Sequence, residues 1–422
     1  MASSSMTASS TIRSADSTGP LHDVRVLDLT TVFMGPSCTQ LLGDLGADVI
    51  KIEAPGGDST RHIGPCGEQG LGPLFLGLNR NKRSVVLDLK KPEGRAALLR
   101  LAQDADVLAT NVRPAGMRRL GLGFEQLSSV NPRLIYASMV GFSQRGPYAP
   151  KAAFDDMIQA ATGLAAAVGE GSDGVPRYLP ITIADRSVGL YAFGVISAAL
   201  YARERTGVGQ SIEIPMFETM IPYVLGDHLY GHTFHPPKAG FGYPRLMSPN
   251  RRPYKTKDGY VCCLIYTDLH WHIFLNAVGK SELLQTDPRF ANIRTRTQAI
   301  DELYQMVAGE LVHRTTAEWR EVLPESEIPI FPMHTFDSLL QDEHLSATGF
   351  FKQTEHPVVG KILETAVPSE WSGTKPTQRK PVPTLGEHTA EVLHEVGLGD
   401  AEIDVLLAQG AVRTANPKEP QA

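Results

Sequence analysis

Residues 24–53 switch between two patterns of apolar and polar positions. "VRVLDL" (24–29) reads as a buried strand, "GPSCTQLLGDLG" (35–46) as a helix and "DVIKIE" (48–53) as a second strand. Strand, helix and strand within about 30 residues make a βαβ unit, which implies parallel pairing. The pattern repeats. "RSVVLDL" is a strand and "KPEGRAALLRLAQDA" an amphipathic helix with Ala96, Leu98, Leu99, Leu101 and Ala102 on its apolar face. "DVLATN" is strand-like, "FEQLSSVN" a short helix and "RLIYASMVGF" another strand. This predicts a doubly wound α/β domain.

Further along, 185–205 is apolar nearly all round and predicts a deeply buried helix, ended by the basic, glycine-containing "RERTGVGQ". "QSIEIPMF" reads as a strand leaving that domain. Residues 222–255 are rich in Gly, Pro, His and Tyr without periodicity and predict a linker or functional loop. "DGYVCCLIY" opens a smaller α+β unit with helices near 268–279, 296–313 and 315–323. "HPVVGKILETAVP" reads as β, and 386–408 as a helical pair. The expected organisation is a tail at 1–20, a large domain at 21–220, a linker at 221–255 and a small domain at 256–330. A return segment at 331–412 completes the large domain, followed by a tail at 413–422.

Length and composition fit this division. The chain has 422 residues, is 42% hydrophobic and 20% charged, and carries a net charge of −6. That supports large cores and argues against nucleic-acid binding, which favours basic chains. Cys38, Cys66, Cys262 and Cys263 are too few for a disulfide framework and predict reduced thiols in the cytoplasm. Cys262 and Cys263, adjacent in a strand, should face opposite sides of a sheet. The N-terminal tail lacks the apolar core of a signal peptide. The longest apolar stretch, Val188–Ala202, is short of the roughly 20 residues of a membrane span.

Several segments suggest chemistry. Glu53 stands where a dinucleotide fold keeps its ribose-binding acid, but "TTVFMGPSC" has no G-x-G-x-x-G, which argues against a nicotinamide or flavin site. Two basic clusters flank strand ends: Arg80, Lys82, Arg83, Lys90 and Lys91 in the first, Asn111, Arg113, Arg118 and Arg119 in the second. Together they suggest a ligand with several phosphates; the first, taken alone, reads equally as a solvated basic face. "GFSQRG" misses the nucleophile-elbow pattern at Arg145, which discounts Ser143. His228, His232 and His235 have helical spacing, but Gly231, Pro236 and Pro237 argue against the regular helix a zinc site there would need.

Asp185, in "ITIADRSVGLYAFG", stands between apolar stretches, where a carboxylate must be hydrogen-bonded or paired. It reads either as a helix N-cap, accepting from the backbone of Ser187 or Val188, or as a catalytic carboxylate. The two are compatible. The helix dipole would hold the group ionised, and an ionised carboxylate between apolar walls can act as a nucleophile.

In combination, these stretches resemble the class III CoA-transferases, the family of formyl-CoA transferase and carnitine CoA-transferase, which also includes α-methylacyl-CoA racemase. The resemblance runs from about residue 21 to residue 412. It rests on "VLDLTTVFMGPSCTQLLGDLGADVIKIEAPGGDSTR", "NRNKRSVVLDLKKPEG", "RRLGLGFEQL", "NPRLIYASMVGFSQRGPYA", "ADRSVGLYAFG" and "RERTGVGQ". "DPRF" and "LGEHTAEVL" also match. It implies a Rossmann-like large domain, a smaller domain and an interlocked homodimer. It also implies CoA or acyl-CoA as a substrate, with no permanently bound cofactor or metal. Asp185 matches the family's nucleophile, which passes through an aspartyl anhydride and an aspartyl-CoA thioester. Val32, Phe33 and Met34 match adenine contacts, Leu87 and Lys90 further nucleotide contacts, Asn111 a position near the pantetheine and Arg119 a phosphate-binding arginine.

Some positions depart from the family pattern. Ala54 replaces an arginine that some members use for the 3′-phosphate, so Arg61 or a residue of "NRNKR" would have to substitute. No glycine-rich flap stands out in 222–255. The racemase branch keeps a histidine where this chain has Phe154, followed by Asp155. Phe cannot remove an α-proton, which favours a transferase over an acyl-CoA racemase or epimerase. Asp155 is left to orient groups near the site. A non-catalytic CoA-binding protein is the remaining alternative. Arg245, Arg251 and Arg252 either pair with the second carboxylate of a dicarboxylate such as succinate or belong to a solvated loop.

Overall fold

The computed structural model describes residues 19–65, 70–325 and 327–415. The N-terminal tail to residue 18, Cys66 and the chain from 416 onward, including most of the second tail, lie outside the described residues. Among the described residues twelve strands follow one another: β1 Arg25–Leu29, β2 Asp48–Glu53, β3 Lys82–Leu87, β4 Val107–Thr110, β5 Ile135–Val140, β6 Ser211–Pro215, β7 Tyr254–Lys255, β8 Tyr260–Cys263, β9 Ile330–Pro332, β10 Phe351–His356, β11 Gly360–Thr365 and β12 Val412–Arg413. Four helices matter to the site: α1 Met34–Asp44, α2 Pro92–Gln103, α3 Asp155–Ala161 and α4 Ile183–Thr206.

The chain divides into two compact units. The first takes in the chain up to Ile158, Thr182–Met220 and Ser346 onward; the second is Gln159–Ile181 with Ile221–Leu345. The first unit is an α/β structure around a seven-stranded sheet ordered β12-β3-β2-β1-β4-β5-β6. The strands from β3 to β6 are parallel, and β12 closes one edge antiparallel to β3. The order 3-2-1-4-5-6 is that of a doubly wound dinucleotide fold, with its switch point between β1 and β4.

Successive strand residues point to opposite faces, so two apolar layers are needed. Leu27, Ile50, Leu108 and Tyr136 pack under α2 and the C-terminal helices, with Leu98, Leu101, Val392 and Leu393. Their neighbours Val26, Val49, Val107 and Ile135 face α1 and α4, with Cys38, Leu42, Val188 and Ile196.

α4 differs from the expectation of a helix buried all round. One face is buried, through Ala184, Val188, Gly189, Ala192, Ile196, Ala199, Leu200 and Arg203. The other is open, with Leu190 58% and Tyr201 65% exposed. At 24 residues it extends past the apolar run at both ends. Among the described residues it is the one helix long and apolar enough, by length and composition, to cross a membrane. It stops at Gly207, whose left-handed φ of 76° lets its N–H reach back 2.7 Å to the Arg203 carbonyl.

"QSIEIPMF" also departs from expectation: β6 does not leave the domain but pairs with β5 over Tyr136–Val140 as its outer edge. The supposed linker begins helically, since Met216–His228 is one helix containing Pro222.

The second unit builds its own core on an antiparallel sheet, β7-β8-β9, around Trp271, Phe274, Leu303 and Trp319. Cys262 is exposed and Cys263 buried, as the strand alternation requires. The predicted helix at 296–313 is two, Ile293–Gln298 and Ile300–Leu311.

Candidate active site

Open α/β sheets bind ligands beyond the carboxyl ends of their strands, at the switch point. There the chain leaves β1 as Thr30–Phe33 and leaves β4 as Asn111. Asn111 bridges the gap: its Nδ2 donates to the Thr31 carbonyl at 2.8 Å and its Oδ1 accepts the Thr31 N–H at 3.1 Å. Val32 holds a left-handed φ of 72°, a conformation a β-branched residue avoids. Asp58 secures it by accepting the Val32 N–H at 3.2 Å, and Lys51 donates to the Thr30 carbonyl at 2.9 Å.

Lys51 and Asp58 belong to a polar lattice beneath the loop. Lys51 pairs with Asp58 at 3.1 Å and Lys82 with Asp28 at 3.0 Å, all four fully buried. Burial pushes the Asp28 carboxyl up, but Lys82, Lys51 and the Thr30 and Thr39 hydroxyls outweigh it and hold it at about 2.

Asp185 is the third residue of α4 and not its cap. Thr182 is the N-cap, without a side-chain bond. The Asp185 carboxyl instead faces the backbone N–H of Met34, the first residue of α1, which favours its ionised form. Phe33, the N-cap of α1, offers no side-chain cap, and the positive end of α1 faces Asp185. Nor is the carboxyl held ionised as expected. Burial first, then the charge of Asp155, raises it to about 7, against the pull of Arg186 and the Met34 N–H.

The approach of the two helices depends on Gly189, one turn after Asp185. A Cβ there would meet Ser37 Oγ at 2.2 Å and the Met34 carbonyl at 2.7 Å. Gly189→Ala is therefore expected to push Met34 away from Asp185 and lower kcat/KM about 100-fold. It should also destabilise the fold by roughly 1–3 kcal/mol. Steady-state kinetics and urea melts check both.

The two basic clusters separate in the structure. Arg80 is paired with Asp44 at 2.8 Å, Lys82 with Asp28, and Arg83 with Asp48 at 2.6 Å and with Glu391 and Glu395. These side chains hold the fold, because their positions on and before β3 face inward from a covered edge, and they are not available to a phosphate. Arg61, the other stand-in for the arginine missing at Ala54, is equally committed: it forks onto Glu53 at 2.6 and 2.9 Å and lies 3.8 Å over the Phe75 ring. Glu53, on that fork, is not a ribose ligand. The Leu87 side chain is in the core, Lys90 lies beyond β3, and Lys91 donates to the Gln409 carbonyl. The second cluster stays open. Arg113, Arg118 and Arg119 line a cavity of about 1010 Å³ with Val112, Gln144 and Pro150, just past the ends of β4 and β5.

Other candidates resolve structurally. The Ser143 hydroxyl donates to Glu213 at 3.0 Å. His228 ends one helix, while His232 sits in a separate 3₁₀ turn, stacked on Phe241 at 3.8 Å. Among the described residues no three His, Cys, Asp or Glu side chains gather as metal ligands. Phe154 is 61% exposed beside Asp155. Sequence reasoning missed Lys51, Asp58 and Gly189; the glycine four residues after Asp185 was the one readable signal.

A family model described as CoA-transferase family III matches residues 21–389. The chain belongs to CoA-transferase family III. It is 32% identical over 408 residues to a succinyl-CoA:glutarate CoA-transferase of Mus musculus, covering 96% of this chain and 92% of that one. It is 32% identical over 418 residues to a formyl-CoA:oxalate CoA-transferase of Escherichia coli O139:H28, covering 93% and 99%. A solved CaiB/BaiF family protein from Brucella suis superimposes with a TM-score of 0.75 at 30% identity, covering 90% of this chain and all of that one. This family III CoA-transferase is thus an enzyme that moves CoA between an acyl-CoA and a carboxylic acid, with CoA thioesters as its substrates.

Proposed function

We propose that Asp185 is the nucleophile of this CoA-transferase and that the acceptors are short dicarboxylic acids. The observation that carries the reading is the place of Asp185: a partly buried carboxylate on the first turn of α4, against the first N–H of α1, beside the switch-point loop. The ionised carboxylate attacks the thioester carbonyl carbon. The C–S bond breaks, its electron pair leaves on the CoA thiolate, and a mixed anhydride forms on Asp185. The thiolate then attacks the aspartyl carbonyl and the donor acid departs as carboxylate. The acceptor acid runs the two steps in reverse. The apolar faces of α1 and α4 slow hydrolysis of both intermediates. The dicarboxylate class is supported by the relatives' named acids, glutarate and oxalate.

Trapping tests the nucleophile. Enzyme incubated with succinyl-CoA and quenched with hydroxylamine or borohydride should carry a modified Asp185 peptide by mass spectrometry. An unmodified Asp185 in enzyme that still exchanges CoA would overturn the assignment.

CoA would lie across Val32–Met34 and Asn111 with its phosphates toward Arg113, Arg118 and Arg119. Arg119→Ala is expected to raise KM for the CoA thioester about 10-fold with kcat nearly unchanged, because the contact is equal in ground and transition states. An unchanged KM would remove Arg119 from the phosphate site.

A homodimer and a reducing, cytoplasmic setting belong to the same reading. The open apolar face of α4, with Leu190, Tyr191 and Tyr201, supports the first, and the free Cys38, Cys262 and Cys263 support the second. Light scattering and cell fractionation test them. The racemase alternative predicts deuterium uptake at the α-carbon without an acceptor acid; Phe154 speaks against it.

A further inference from the structure

The backbone N–H of Asp185 is one of the unsatisfied donors of the first turn of α4, and Thr182 does not cap that helix. The donor is met from outside. Asp155 Oδ1, on the first residue of α3, accepts it at 2.9 Å, and Asp155 is only 6% exposed. Two carboxylates therefore share one water-poor site, tied through a backbone bond and not through a shared proton. The groups facing Asp185 are Asp155 from α3, Arg186 from α4 itself and the Met34 N–H from α1.

We infer that Asp155 is a positioning residue for CoA transfer, which caps the nucleophile's backbone and uses its own charge to favour acylated over free Asp185. The inference rests on the nucleophilic role of Asp185. Asp185 gives up its negative charge in the first step, which leaves on the CoA thiolate as the C–O bond of the anhydride forms; in the second step the thiolate's charge leaves on the donor carboxylate as the aspartyl thioester forms. Both covalent states are uncharged at residue 185. Repulsion from Asp155 raises the energy of the free carboxylate and leaves the two acylated states untouched. It also makes the free carboxylate more basic, hence a better nucleophile once ionised. Phe154 and Asp155 have separate consequences: the first removes a base, the second loads the nucleophile.

Asp155→Asn isolates the charge, since the amide oxygen can still accept the Asp185 N–H and the volume is kept. The acid limb of kcat/KM, expected near pH 7 in the wild type, should move down by about one pH unit or more. The plateau above it should fall about 10-fold, and the fraction of enzyme trapped as a covalent adduct should fall with it. Asp155→Glu, which keeps the charge, should restore the wild-type midpoint, an effect a purely structural role would not produce. Should Asp155→Asn fold poorly, the Asp155→Glu profile and carbon-13 infrared titration of the Asp185 carboxyl in ligand-free protein, assigned by difference against Asp185→Asn, still decide. An Asp185 titration midpoint that is the same in the Asp155→Asn variant as in the wild type would overturn the role of Asp155. So would an Asp155→Glu profile displaced as far as that of Asp155→Asn. Absence of any Asp185 adduct in active wild-type enzyme would instead overturn the nucleophile, so the two failures read differently.

Discussion

Asp185→Asn is expected to lower CoA exchange by roughly 10⁴-fold or more while raising thermal stability. The first effect follows from deleting the atom that forms both covalent intermediates. The second follows from linkage. The folded protein holds the Asp185 carboxyl at about 7, above its ordinary value of 3.8. Between those values the native state binds more protons than the unfolded chain, so stability falls as pH rises through that window and stays lower above it. The amide carries no charge to bury. Its stabilising effect should therefore be seen at pH 8 and shrink toward pH 4, as melts at the two values would show. A variant both inactive and less stable at pH 8 would contradict this account.

Lys82→Met should be among the most destabilising single changes, at about 3–5 kcal/mol. Lys82 Nζ makes four bonds, to Asp28 at 3.0 Å, Thr39 at 2.8 Å, Asn79 at 2.9 Å and the Pro36 carbonyl at 3.1 Å. Removing it leaves Asp28 buried beside Thr30, where the site loop begins. Guanidinium unfolding should show a lower midpoint at unchanged slope, with a raised KM for CoA in the residual enzyme. Asp28→Leu combined with Lys82→Met should recover part of the loss, because no lone charge remains. A loss below about 1 kcal/mol would show that the lattice contributes little.

Most strand positions in the first unit were readable because each is a short apolar run between polar turns, and parallel strands covered on both faces need such runs. The place of β6 was not: it joins the sheet although its pattern, with Ser211 and Glu213 exposed, resembles a departing segment. Asp185 was legible as a residue and misread in its setting. Sequence shows that an acid precedes an apolar helix. It does not show that α1 lies across that helix at Gly189, or that Asp155 returns beside it. The basic run at 80–83 was misread for a related reason, since its partners Asp28, Asp44, Asp48 and Glu395 are scattered over some 370 positions. Arg113, Arg118 and Arg119 follow one strand end and stayed visible as a cluster.

The edge strand β12 has a consequence for how the protein is made. Val412 and Arg413 pair with Leu87 and Val86, about 325 residues earlier in the chain. At a ribosomal pace of roughly 5–20 residues per second, β3 emerges some 15–65 s before its cover exists. Glu391 and Glu395, the partners of Arg83, arrive nearly as late. Through that interval the nascent sheet presents an unpaired edge, with Arg83 held by Asp48 alone, and such an edge is how unfinished chains find one another. A product stalled before Glu391 would keep that edge unpaired for good and is the form most prone to aggregate.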